Sequence, residues 1–226
     1  MRKLATFLLP LFLFSFFTIQ AQVIFEDGFE SGTLSKWIAS GDTLVSTVSP
    51  SEGSYCFQGT NAYQLEKTFS PVSEDIITVE FAMKAAQDNK ECIDFLIYDE
   101  NDLAITRIYF APVYIKAKNG VNDVDLKSYT WDTWYQTKII IDQVNRQYDI
   151  VIDGDTLGQN FDYVEGEAGY ASRFYFSGSE TDGSVGFLDD VSIASDIVPV
   201  TGENRILSYY GLSLINTHPR PGIEAI

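Results

Sequence analysis

Few residues in this sequence have the types and spacing that catalysis needs. A retaining glycosidase uses two carboxyl groups about 5 to 5.5 Å apart, which a strand with the pattern Glu-x-Asp-x-x-Glu would supply. Residues 180–182 match only the first step of that pattern, inside a Ser/Gly loop, and residues 91–94 have the wrong spacing. The single histidine, His218, lies near the C-terminus, so a Ser-His-Asp triad is also disfavoured.

The sequence is better equipped for binding a sugar, which stacks on aromatic rings and hydrogen-bonds to nearby polar side chains. Arg107 and Tyr109 are two positions apart, so they share one face of a strand, and Tyr114 can join them there. Trp131 stands in a polar stretch just before another strand. We predict that these four residues bind carbohydrate; the alternative is that the aromatic rings pack in a core. Two further aromatic candidates are Tyr98 and Tyr175.

The first 21 residues are typical of a secretory signal peptide. A basic start at Arg2 and Lys3 precedes an apolar run too short to span a membrane, and a small-residue cleavage region ends at Ala21. Residues 1–21 are therefore predicted to be removed and the protein to be secreted or displayed at the cell surface. No later stretch is apolar enough for a membrane span.

Charge limits the partners of the remaining chain. Without Arg2 and Lys3, 13 basic residues stand against 32 acidic ones, a formal net charge of −19. Such a chain repels the phosphates of nucleic acid and opposes polyanionic sugars, but it is compatible with neutral sugars or with calcium. Cys56 and Cys92 form an even pair in an exported chain, which predicts a disulfide; two buried thiols are the alternative.

One stretch, residues 131–154, predicts a β-hairpin. Tyr135, Thr137, Ile139 and Ile141 alternate with polar residues, and a second alternating run follows a polar turn at residues 143–146. The predicted core residues of this hairpin are Ile139, Ile141, Ile150 and Ile152.

The rest of the chain also reads as short strands separated by polar turns. About eleven to thirteen strand segments are present, including two around a turn at residues 60–62, and no amphipathic helix is evident. This pattern predicts an all-β fold, an antiparallel two-sheet sandwich or barrel. After residue 194 the periodicity ends, so residues 195–226 are predicted to be a linker and an irregular tail.

Three stretches together resemble a laminin-G-like or concanavalin-A-like jelly roll of secreted bacterial proteins. They are residues 25–32 with Leu34 and Trp37, the hairpin strands at 134–142 and 148–154, and the closing stretch at 186–193. The resemblance implies a jelly-roll sandwich over residues 22–194. It does not carry a function with it, because this fold serves lectins, lyases, glycosidases and adhesion modules.

The resemblance also implies a structural calcium ion where the first and last strands meet. Its ligands would be Asp189, with Asp190 as the alternate, and the acids of the opening segment. The predicted calcium ligands are Glu26, Asp27, Glu30, Asp189 and Asp190; the alternative is that Asp189 and Asp190 end a strand and face water.

The tail at residues 211–221 is similar to the start of a type IX secretion sorting domain, with departures at residues 217, 218 and 220; a disordered tail is the alternative. Together these observations predict a secreted, non-catalytic module that binds carbohydrate or a cell-surface or matrix partner. The alternatives are a protein-binding adhesion module and a divergent glycoside hydrolase or polysaccharide lyase. The oligomeric state is left open.

Overall fold

The structure, a computed structural model, describes residues 21–87, 89–178 and 183–196. The predicted signal peptide, apart from its last residue, and the predicted sorting tail lie outside these residues. Within the described ranges, no helix is long and apolar enough to cross a membrane. The fold is all-β, as predicted, and its strands are β1 (Ala21–Asp27), β2 (Ile38–Ser46), β3 (Cys56–Thr68), β4 (Ile76–Ala85), β5 (Asp94–Asp99), β6 (Ala104–Phe110), β7 (Tyr114–Asn119), β8 (Asn122–Ser128), β9 (Tyr135–Asp142), β10 (Gln147–Ile152), β11 (Asp155–Asp162), β12 (Ala171–Ser177) and β13 (Val185–Asp196).

The strands form an antiparallel two-sheet jelly-roll sandwich. The back sheet has the order β11-β10-β9-β4-β13, with β1 also paired to β13. The front sheet has the order β3-β12-β5-β6-β7-β8, with β2 also paired to β3. Both edge strands β8 and β11 are rich in Asp and Asn, and for this reason neither was predicted from apolar alternation.

The two sheets are joined because β3 changes partners along its length. Residues 57–60 of β3 pair with residues 185–188 of β13, whereas residues 64–68 pair with β12. The two strands predicted around residues 60–62 are therefore one strand that bends. Asn61 adopts a φ of 60° at the bend. Gly41 on the neighbouring strand has a φ of 76°, and a Cβ there would lie 2.2 Å from the carbonyl oxygen of Ala62, so this position requires glycine.

The predicted hairpin is confirmed as β9 and β10. Ile139, Ile141, Ile150 and Ile152 are all fully buried. Ile150 lies directly opposite Ile139, whereas Ile141 is opposite Tyr148 and Ile152 is opposite Thr137. Their burial follows directly from the alternation of apolar and polar residues.

Aromatic rings fill much of the space between the sheets. The indole of Trp37 packs edge-on against Phe25 and Phe174, with ring centroids 4.9 and 5.5 Å apart. The ring of Phe174 continues the cluster to Phe95, 5.0 Å away. Such edge-to-face contacts add roughly 0.5–1.5 kcal/mol each to the free energy gained by burial.

Tyr63 is the largest side chain of this core with no exposed surface. Its hydroxyl donates a hydrogen bond of 2.8 Å to the carbonyl oxygen of Cys92. Three glycines approach the ring so closely that a Cβ on any of them would lie 2.0–2.2 Å from a Tyr63 atom: Gly59, Gly178 and Gly186. Tyr63 thereby fixes the segment that leads into β5.

The predicted disulfide is wrong: Cys56 and Cys92 are two buried thiols that are not bonded to each other. Cys92 belongs to the core between the sheets, and its thiol donates to the carbonyl oxygens of Gln87 and Lys90. Cys56 begins β3, and its thiol points to the carbonyl oxygen of Val48. The two cysteines thus lie in separate environments, Cys56 in β3 and Cys92 in the segment before β5.

Candidate functional site

The outer side of the front sheet carries polar and aromatic side chains in register. We call this surface the front face: the side chains of β3, β12, β5, β6 and β7 that point away from the core. They lie together because alternate residues of these strands fill the core. One row of directly paired residues crosses four strands: Ser177, Asp94, Tyr109 and Lys116.

Arg107 is held flat on this face. Its Nε and Nη2 donate hydrogen bonds of 2.9 and 2.8 Å to the two carboxylate oxygens of Asp94. The guanidinium carbon lies 4.8 Å from the ring centroid of Tyr109. The hydrogen bond to Asp94 raises the pKa of Arg107 above its usual value, so the planar cation is fixed in charge and orientation.

Tyr109 is fixed at its hydroxyl end as well. The hydroxyl donates a hydrogen bond of 2.6 Å to Asp123, which also pairs with Lys118 at 2.8 Å. Burial and the hydrogen bond to Asp123 raise the pKa of Tyr109. Lys118 and the Tyr109 hydroxyl lower the pKa of Asp123, so that residue stays ionised at neutral pH.

A small depression of about 100 Å³ opens beside this stack. Its walls combine hydrogen-bonding groups with an aromatic ring, the mixture that recognises a sugar hydroxyl and a sugar ring face. Its lining includes Glu91, Asp94, Arg107, Tyr109, Ser177 and Gly178.

The structure brings two of the four predicted sugar-binding residues together. Arg107 and Tyr109 form the stack. Tyr114 is exposed at the start of β7, on the same side of that strand as Lys116. Trp131 is 54% exposed in the turn before β9, outside the stack.

Asp94 was not identified from the sequence as a partner of Arg107, nor was Arg173, which lies on β12 of the same face opposite Tyr98. In the sequence analysis Asp94 appeared only within residues 91–94, whose spacing does not fit the carboxyl pair of a glycosidase. Alternation could show which side chains share a face of one strand, but strand order decides which strands are neighbours. Because β5 lies between β12 and β6, side chains far apart in the sequence meet.

The five predicted calcium ligands lie in different environments. Asp27 is buried and already satisfied: its Oδ2 accepts a hydrogen bond of 2.7 Å from the Trp37 indole, and its Oδ1 accepts from the Phe29 amide at 3.1 Å. Lys36 lies 3.4 Å from the same Oδ1. This carboxylate therefore anchors the opening segment to the aromatic core.

Glu30 and Asp190 do lie near each other. Oε1 of Glu30 accepts hydrogen bonds from the amides of Ser54 and Tyr55. Burial raises the pKa of Asp190, and the charges of Glu52 and Glu30 raise it further. Both predicted ligands border an open groove of about 400 Å³ that the exposed Glu26 also lines.

Asp189 faces a different neighbourhood, the loop of residues 47–55 that we call the covering loop. Its Oδ2 accepts hydrogen bonds from the amides of Ser51 and Glu52, at 2.9 and 3.4 Å. Burial, together with the adjacent Asp190 charge, raises the pKa of Asp189 to about 6. Asp189 thus holds the covering loop against β13.

Lys84 is buried beneath the same loop. Its ammonium lies 4.3 Å from the ring centroid of Phe187 and 5.1 Å from that of Trp134. It pairs with Asp132 at 3.2 Å and points to the carbonyl oxygen of Ser49 at 3.4 Å. The covering loop is therefore held through backbone groups by a buried cation and a buried anion.

In the part of the chain that the structure describes, no three His, Cys, Asp or Glu side chains are grouped as a metal site. Four of the five predicted ligands, Glu26, Asp27, Glu30 and Asp190, line one groove, whereas Asp189 faces the covering loop. Calcium binding stays a prediction.

Comparison with known proteins connects the chain to carbohydrate binding. The family model described as "Sialidase-like, CBM domain", a carbohydrate-binding module, matches residues 61–176, about half of the chain. That range includes β5, β6, β7 and β12, which build most of the front face. A comparison with curated protein sequences returned no match.

Solved structures share the fold at low sequence identity. A sialidase is 17% identical, with a TM-score of 0.62 over 77% of this chain and 19% of the sialidase chain. This chain therefore spans about a fifth of that protein's length. A cellulose-induced protein is 15% identical over 78% of this chain and 100% of its own, with a TM-score of 0.58. Domain 4 of an extracellular GH43 arabinanase from Geobacillus stearothermophilus, in complex with arabinotriose, is 14% identical over 78% and 93%, with a TM-score of 0.54.

Proposed function

Because the chain belongs to the family of sialidase-like carbohydrate-binding modules, we propose that its front face is the carbohydrate-binding site and that the protein is an exported, non-catalytic binding module. The single observation that carries the proposal is the stack of Arg107 on Tyr109. Here a planar cation, held by both oxygens of Asp94, lies 4.8 Å from an aromatic ring beside a depression.

This arrangement suits a sugar for physical reasons. The stack is fixed before any ligand arrives, so little side-chain entropy is lost on binding. Asp94 and Ser177 offer oxygen acceptors at the depression, and Arg107 offers N–H donors. An adhesion site for protein would instead favour a larger exposed apolar patch.

The charge state of Asp123 argues against that residue as the general acid of a glycosidase. A glycosidase needs one protonated carboxyl group as its general acid, with a raised pKa. Asp123, which holds Tyr109, has a lowered pKa because Lys118 and the Tyr109 hydroxyl bind its ionised form. It is therefore a carboxylate at neutral pH and a poor proton donor.

Export is the second part of the proposal. The predicted signal peptide at residues 1–21 and the acidic composition support a secreted or cell-surface module. A matrix or cell-surface glycan would then be the accessible target.

A glycan array with the purified protein tests the proposal. We expect the wild type to bind neutral glycans and Arg107→Ala to lose at least about tenfold in affinity, the loss of roughly one charge-assisted contact. Lys138→Ala is the matched control, because Lys138 pairs with Glu80 on the back sheet at 2.8 Å. Full binding by Arg107→Ala, or no binding of any glycan by the wild type, would overturn the proposed site. Release of sugar from a bound glycan would overturn the non-catalytic assignment.

A further inference from the structure

A second arginine–tyrosine stack lies on the front face. Arg173 on β12 is directly opposite Tyr98 on β5, and its guanidinium carbon lies 4.5 Å from the Tyr98 ring centroid. The ring of Tyr175 meets that of Tyr98 at 80°, with centroids 5.9 Å apart. Asp102 accepts from Nη1 of Arg173 at 2.7 Å. The construction repeats that of Arg107, Tyr109 and their carboxylate partner.

The two arginines are attached to the sheet further apart than one sugar ring spans. Arg107 is opposite Leu96 on β5, and Arg173 is opposite Tyr98 two residues further along the same strand. Two strand spacings across the sheet and two residues along it place the arginine Cα atoms about 12 Å apart. A short chain of sugar rings covers that distance.

The surface between the stacks is continuous. Tyr175 is directly opposite Leu96, so one row of paired residues runs from Tyr175 through Leu96 to Arg107. Leu96 is only 8% exposed and forms a low apolar floor in this row. Within the described strands, no side chain of this row therefore blocks a ligand from extending from one stack to the other.

Charge pairing on this face points to an uncharged ligand. Each of its four cations is already matched by a carboxylate of the chain: Arg107 with Asp94, Arg173 with Asp102, Lys116 with Asp125 and Lys118 with Asp123. A sugar carboxylate would have to displace one of these partners and would meet its repulsion. Hydroxyl groups bind without such displacement.

The donors of Arg173 are not all used by the chain. Its Nε is buried and has no hydrogen-bond partner in the structure, whereas Asp102, its carboxylate partner, is 74% exposed. A buried donor without an acceptor is unfavourable, so this guanidinium is not fully satisfied by the chain.

We propose that the Arg173–Tyr98–Tyr175 cluster is a second subsite, and that the front face binds an uncharged oligosaccharide lying across β6, β5 and β12. This inference rests on the proposed function, because the Arg107–Tyr109 stack provides the first subsite. It adds the ligand class: a chain of neutral sugars rather than a single terminal or acidic sugar.

The test is a chain-length series on the glycan that binds best in the array, from monosaccharide to hexasaccharide, measured by calorimetry. We expect wild-type affinity to rise by about tenfold or more with length. Arg173→Gln should keep the affinity for the shortest ligand and lose that rise. The matched control is Arg146→Gln, which removes an exposed arginine from the turn between β9 and β10.

The outcomes separate the two proposals. If the wild type binds glycans but with the same affinity at every length, the second subsite is wrong and the first stands. If wild-type affinity rises with ligand length and Arg173→Gln shows the same rise, the assignment of the second subsite to Arg173 is wrong. Tyr175→Ser provides an independent variant should Arg173→Gln fold poorly. Tighter binding of sialylated glycans than of their neutral counterparts of equal length would overturn the uncharged ligand class.

Discussion

Replacing Gly186 by alanine probes how tightly the core is built around Tyr63. A Cβ at this position would lie 2.0 Å from the Tyr63 hydroxyl oxygen and 3.0 Å from Cγ1 of Ile93. Gly186 is not among the residues of positive φ, so its backbone accepts alanine and the penalty is purely steric. To make room, Tyr63 would have to move away from the carbonyl oxygen of Cys92.

The expected cost of Gly186→Ala is about 3 kcal/mol in the free energy of unfolding. Overpacking of a tight core contributes about 1–3 kcal/mol, and loss of the hydrogen bond to Cys92 adds about 1 kcal/mol. Tyr63→Phe alone should cost about 1.5 kcal/mol, because the carbonyl oxygen of Cys92 loses its donor. In the double variant the clashing oxygen is absent and the hydrogen bond to Cys92 is lost only once, so the combined cost should fall short of the sum by about 2–3 kcal/mol.

Urea unfolding followed by tryptophan fluorescence measures all three variants. The matched control is Gly166→Ala, because a Cβ there would meet no atom within 4 Å; its stability should stay within about 0.5 kcal/mol of the wild type. A Gly186→Ala protein as stable as this control would refute the steric argument. Strict additivity in the double variant would show that the tyrosine hydroxyl is not the clashing group.

The remaining predictions concern the covering loop, the thiols and calcium. Burial raises the pKa of Asp189 to about 6 from an ordinary 3.8. The folded protein therefore binds this proton more tightly than the unfolded chain does. This stabilises the fold by up to about 3 kcal/mol below pH 4, and the contribution is lost as the pH rises through 6. Asp189→Asn should flatten that pH dependence in urea titrations; an unchanged profile would contradict it. Burial raises the pKa of Cys56 to about 11, so neither it nor the buried Cys92 should react with a thiol reagent at pH 8 until the protein unfolds, and rapid labelling of the folded protein would count against this. If Glu30 and Asp190 bind calcium, the ion should raise Tm in the wild type and not in Asp190→Asn; equal Tm values with calcium and with chelator would exclude the site.

The fold was predictable where a strand has one buried face. The alternation at Ile139 and Ile141 identifies β9 because every second residue faces the core. The same signal failed for β3, where the chain bends at Asn61 and continues as one strand. It also failed at the edge strands β8 and β11, whose side chains mostly face water.

The site was predictable only within single strands. Arg107 and Tyr109 share a face of β6, and two-residue spacing is enough to infer that. Their meeting with Asp94, and that of Arg173 with Tyr98, depends on β5 pairing with both β6 and β12, and local sequence does not encode this order. Lys84 illustrates the same limit: a lysine in an apolar strand is buried because the covering loop and Trp134 close over it.

The pairing of β1 with β13 has a mechanical consequence. The register runs from Ala21 opposite Asp196 to Asp27 opposite Val191, so the outer ends of the two strands lie side by side. Antiparallel hydrogen bonds run perpendicular to the strands, and a pull that separates residues 21 and 196 therefore loads them one after another. Under tension between these two residues the hydrogen bonds between β1 and β13 should break one after another, at low force.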